Sequence, residues 1–237
     1  MLEVARGLAR LRNASVIRAA YAALSLALQP LASAWLVQDE SAITPESLAQ
    51  LIAFAGLAII IGFLIAVLAV ASWILRVLAW GSVCKAKLKT FYCVTRIIVL
   101  AAPIIGLLVI IGGALDAVLR TMISGGLIEP ATSALPETLF LYILTGVLIM
   151  ATADFFEAVA TLDLSLLYKV GILKVASILY LATTGVGVVA QATASAGLWS
   201  SLLSLIVFAL LMIGYHAAAN TVRQQLLQPS PGPAQGG

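Results

Sequence analysis

The chain has 237 residues, of which 62% are hydrophobic and only 10% charged, with a formal net charge of +3. Ordinary soluble domains are about 45–50% apolar and about 25% charged, so this chain has too little polar surface to cover a soluble core. A soluble enzyme, a disordered chain and a secreted disulfide scaffold are excluded, which leaves a multi-spanning membrane protein.

Residues 1–18 carry Arg6, Arg10, Arg12 and Arg18. Leu2, Ala5, Leu8, Ala9 and Leu11 share one helical side, so the start reads either as a helix lying on the membrane surface or as a basic topogenic segment. An uncharged run from Ala19 to Val37 follows, with Pro30 inside it. Ala32-Ser33-Ala34 after a basic lead also matches a signal-peptide cleavage site; cleavage there would leave five spans. Asn13-Ala14-Ser15 is a glycosylation sequon on the inner side, where it is silent.

The second uncharged run, Ser47 to Leu75, has 29 residues. After it comes the densest basic patch, Lys85, Lys87 and Lys89 flanked by Arg76 and Arg96. Anionic lipid headgroups are the expected partner. Phe91-Tyr92 beside the lysines opens a minority reading as a nucleic-acid contact. Cys84 and Cys93 flank this loop on the reducing side, which disfavours a structural disulfide. With His216 as the lone histidine, they do not form a zinc site, and no metal or cofactor is expected.

Span three, Ile97 to Leu115, contains Pro103, Gly106, Gly112 and Gly113, and Asp116 and Arg120 beyond it have salt-bridge spacing. The fourth run, Thr138 to Ala153, has 16 residues, about 24 Å of helix. Crossing about 30 Å of hydrocarbon requires it to continue through Asp154 and Glu157. These acids share a helix face with Thr161, and with His216 they make the candidate polar membrane site. Acids inside spans often mark ion or proton paths. The competing reading pairs them with basic residues at the inner boundary, among Arg76, Arg96, Lys169, Lys174 and His216, or lets them solvate there.

Val175 to Val222 has 48 residues without a formal charge, the length of a two-span hairpin turning at Ala194 to Gly197. Gly185 to Ala190 matches G-x-G-x-x-A, but no acid follows Asp163, so dinucleotide binding is rejected. Thr183, Gly185 and Gly187 are instead expected to pack helices closely, with local unwinding at a site as the alternative. The tail from Gln228 to Gly237 reads as disordered.

The predicted fold is all-α, a polytopic transmembrane helical bundle. Its six spans lie at about 19–37, 48–75, 97–116, 138–160, 175–193 and 198–217, followed by a cytoplasmic tail over 223–237. With the N-terminus inside, twelve of the thirteen basic residues fall inside and only Arg120 outside. Trp35 and Trp199 then sit at outer span ends, with Trp73, Trp80, Tyr21 and Tyr215 near inner ones. No internal repeat and no catalytic signature is found.

Gly7-Leu8-Ala9-Arg10-Leu11-Arg12 before a first span, with six spans and a Pro/Gly/Gln tail, resembles small multi-spanning archaeal proteins of unassigned function. Size and span number are also similar to the polytopic component of archaeal DNA-import systems. Three functions are expected in order: a non-enzymatic channel-like or scaffold subunit of a membrane assembly, with other membrane subunits or itself as partner; a small-solute or ion transporter using Asp154 and Glu157; and a DNA-import pore.

Overall fold

The computed structural model describes residues 1–36, 45–123, 137–193 and 197–227; side chains at 28–52, 54, 121, 123, 137, 190–191 and 197–198 lie outside that description, as do those at 192–193. The hairpin turn near Ala194, the Trp35 side chain, the Ala32-Ser33-Ala34 side chains and the tail from Gln228 therefore fall outside it. Six helices account for the described chain: α1 (Leu2–Leu36), α2 (Pro45–Lys85), α3 (Thr90–Ile123), α4 (Glu137–Leu167), α5 (Gly171–Thr193) and α6 (Gly197–Leu227). Among the described residues, five of them, α2 to α6, are long and apolar enough to cross a membrane. The protein is an all-α, multi-pass membrane bundle.

The helices overrun the predicted spans. At 41 residues, α2 extends about 60 Å, twice the hydrocarbon thickness. Each helix packs on its neighbours in chain order, and α6 returns to α1, so the six close a ring.

Packing around that ring is uneven. Among the described residues, buried non-glycine side chains fall within residues 4–22, 72–83, 92–102, 153–183 and 207–222. This half carries the N-terminus, both short turns and nearly all the basic residues, and is called the basic end below. Trp80, Tyr92, Tyr215, Leu8, Leu164 and Leu173 are its largest buried groups. Toward the far end, Ile59, Phe63, Leu108 and Val189 are exposed, as lipid-facing residues are. A close contact there is the α3–α4 seam. A Cβ added at Gly106 would lie 2.5 Å from the Gly146 carbonyl oxygen, and one at Gly113 would lie 2.3 Å from Tyr142 Cβ. Glycine permits that approach of backbones.

Three expectations change. The apolar stripe of the N-terminal segment packs against the bundle rather than facing lipid. No helix boundary falls at residue 18, because α1 runs unbroken through it. Val4, Leu8 and Leu11 are buried, and Arg10 donates to the Leu78 carbonyl at 3.2 Å and Ser82 Oγ at 2.8 Å, tying α1 to α2. An apolar stripe that has a protein groove to fill does not need the lipid surface. Second, Cys84 and Cys93 are joined in a disulfide, with Cα atoms 4.8 Å apart. A compartment sets redox poise; the tight α2–α3 turn decides the geometry by setting one helix end beside the next helix start. Third, among the described residues Gly185 and Gly187 pack against no helix, since a Cβ at either would meet nothing within 4 Å.

Both turns at the basic end put a lysine in the left-handed region, Lys87 with φ 53° and Lys169 with φ 56°. At the second, Val170 N–H donates to the Ser165 carbonyl and Lys169 N–H to that of Leu166, the paired bonds of a Schellman cap. Glycine is the usual residue there, because a Cβ costs about 1 kcal/mol in that conformation. Lys169→Gly is therefore expected to raise stability by about 0.5–1 kcal/mol, read as a shift of the unfolding midpoint in detergent. An unchanged or lower midpoint would mean that the lysine makes a compensating contact.

Candidate functional site: a charge-balanced network at the centre of the helix ring

Asp154 and Glu157 extend from α4 one turn apart, as their spacing requires. Of the basic partners that the competing reading names, Arg76 meets both. Glu157 is buried, and both carboxylates meet the guanidinium groups of Arg18 on α1 and Arg76 on α2. Arg76 Nη2 lies 2.6 Å from Asp154 Oδ1 and also contacts Glu157 Oε2. Arg18 reaches Asp154 at 3.3 Å and Glu157 at 3.4 Å. Tyr180 of α5 joins them, donating to Asp154 Oδ1 at 2.8 Å and within 3.1 Å of Glu157 Oε2. Arg18 Nη1 donates to the same phenol oxygen at 2.5 Å. Its guanidinium carbon lies 4.1 Å from the Phe208 ring centroid on α6 and 4.9 Å from that of Tyr180.

Two cations and two anions make the network formally neutral. That balance lets four ionised groups lie inside an apolar bundle, where one alone would cost several kcal/mol. It also bridges α1, α2, α4 and α5 across the ring.

The two sides of the network differ. On the basic-end side the interior is filled. Thr161 Oγ1 donates to the Glu157 carbonyl at 2.8 Å and pairs with Tyr215 Oη at 2.6 Å. Trp80 stacks on Tyr92, whose hydroxyl donates to Asp163 at 2.5 Å. On the far-end side lie two cavities of about 300 and 370 Å³. Both are walled by Arg18, Tyr21, Met150 and Asp154, so they flank one partition. The first extends past Leu68, Ser72, Trp73 and Pro103; the second past Thr183, Thr184, Gly187 and Ser204. Gly187 thus leaves room for the second cavity.

Pro103 explains a wall of the first cavity. Proline cannot donate to the carbonyl four residues back, that of Val99. Trp73 Nε1 donates to that oxygen at 2.8 Å, which holds the indole at the cavity edge.

The remaining expected residues are placed elsewhere. His216 is exposed on the outer face of α6, with Nδ1 3.3 Å from Arg12 Nη1 and Nε2 3.2 Å from Asn220. It does not join Asp154. Arg96 packs by Gly81, and Lys169 caps a turn. Lys85 and Lys87 are exposed on the α2–α3 turn, while Lys89 pairs with Asp163 at 2.6 Å and fastens that turn to α4. Asp116 and Arg120 pair at 3.0 Å, as their spacing predicts. Among the described residues no cluster of three or more His, Cys, Asp or Glu is arranged for a metal ion.

Arg18 and Tyr180 were not singled out from sequence. Arg18 counted as one of the basic leading residues, and a tyrosine inside an apolar run carries no sequence signal of its partner. The available signal was charge balance: two acids entering a span require two cations at the same depth.

No protein-family model matches the chain, and neither a curated protein nor a solved structure matches it.

Proposed function

We propose that the protein is a small-solute transporter that binds its cargo in the far-end vestibule, with the Arg18–Arg76–Asp154–Glu157–Tyr180 network as floor and gate. The carrying observation is the contrast across that network: cavities on one side, filled interior on the other. A transporter needs a central site closed to one face at a time, and a paired charge network is a natural two-state latch, since its bonds can be exchanged for bonds to cargo. By the basic-residue rule the packed end faces the cytoplasm and the vestibule opens outward.

A channel-like or scaffold subunit would account for the short loops and the lack of a catalytic set, but it gives the vestibule no task. Engagement of Lys89 by Asp163 weakens the reading of that loop as a track for DNA. In this reading the protein performs no catalysis.

Access is the direct test. In a background with Cys84 and Cys93 replaced by serine, S204C is expected to react with a membrane-impermeant maleimide from outside intact cells. Lys169→Cys is expected to react only in inverted vesicles. S204C that stays unreactive from both faces, in protein that folds, would remove the vestibule.

A further inference from the structure

Resting on that reading, we infer that the cargo is an organic cation, a protonated or quaternary amine on a small apolar body, which docks at Oδ2 of Asp154. The three donors that reach this carboxylate, Arg18, Arg76 and Tyr180, all converge on Oδ1. None of these three hydrogen bonds reaches Oδ2. The Asp154 side chain is also the most open of the four charged groups, at 31% exposure against 14% for Arg18, 10% for Arg76 and 4% for Glu157. It lines both cavities. The polar group offered to an occupant is therefore a carboxylate oxygen with spare lone pairs.

The cationic members are less open to an occupant than Asp154. Arg18 donates from Nη1 to Tyr180 and Glu157 and from Nη2 to Asp154, and its planar face lies against Phe208. Arg76 lines the first cavity but is only 10% exposed, and its Nε is buried without a hydrogen-bond partner among the described residues. The remaining walls suit an apolar body: Tyr21, Leu68, Trp73 and Met150 around the first cavity, Val147 and Phe208 in the second. Aromatic faces attract cations, and cavities of this size hold small ligands. A cation at Oδ2 competes with Arg18 and Arg76 for the same carboxylate. Cargo binding would thus loosen the latch that closes the basic end.

The test uses the full chain in nanodiscs and three probes of similar shape: benzyltrimethylammonium, its neutral carbon isostere neopentylbenzene, and benzenesulfonate. Saturable calorimetric binding of the cation, at least tenfold tighter than either other probe, is expected. Asp154→Asn should weaken it at least tenfold. Gly187→Leu leaves the charge network intact and fills the second cavity; it should weaken binding similarly if that cavity holds the body. Should Asp154→Asn fail to fold, the probe series and Gly187→Leu decide. Equal or tighter binding of the neutral or anionic probe would overturn the cation assignment while leaving the vestibule. No binding of any probe by protein whose Ser204 position is labelled from outside would also overturn it. Failure of that labelling would instead overturn the transporter reading.

Discussion

Arg76→Met is expected to destabilise the protein by about 3–5 kcal/mol, the cost of leaving a buried charge without its partner. Arg76 bridges both acids, and Glu157 is buried. Removing the cation leaves two carboxylates facing one guanidinium. Pairing the change with Glu157→Met restores balance, because Arg18 and Asp154 remain as one cation and one anion. Most of the loss should then return, since well-packed apolar groups often replace a buried ion pair without net cost. Unfolding in mixed detergent would measure both variants. A cost below about 1 kcal/mol for the single change would place the network in water and make it an ordinary surface pairing.

Trp80→Ala should cost a similar amount, about 3–5 kcal/mol, whereas Phe63→Ala should cost less than about 1 kcal/mol. Trp80 is fully buried at the basic end and stacks on Tyr92, with ring centroids 6.1 Å apart. Phe63 is 72% exposed on the far half of α2. In lipid an exposed apolar side chain gains little from being large, because hydrocarbon fills its place. The indole N–H of Trp80 has no partner, so its removal returns part of the cost. Equal losses at the two positions would contradict the uneven packing on which the vestibule rests.

Composition and run lengths alone determined that this is a helical membrane protein. Long uncharged runs have no stable place in water, and a helix is the local way to satisfy every backbone group in hydrocarbon. The salt bridge of Asp116 with Arg120 and the shared face of Asp154 and Glu157 were legible for the same reason: both follow from 3.6 residues per turn within one helix. The acids were also marked as costly, because charge inside a span is visible in one dimension.

Everything that needed two helices was decided by tertiary structure. Arg18 and Tyr180 meet Asp154 only because the ring sets α5 beside α4 and brings the Arg18 side chain of α1 within reach across it. Gly185 and Gly187 resembled packing glycines, yet Gly106, Gly113 and Gly146 make the close seam. A glycine in a sequence does not say whether its face meets a backbone or an opening. Cys84 and Cys93 form a bond because one turn sets them side by side. Periodicity fixes which residues share a helix face; which face meets which partner depends on how side-chain volumes and charges fit across the ring, and that fit is a property of the assembled bundle.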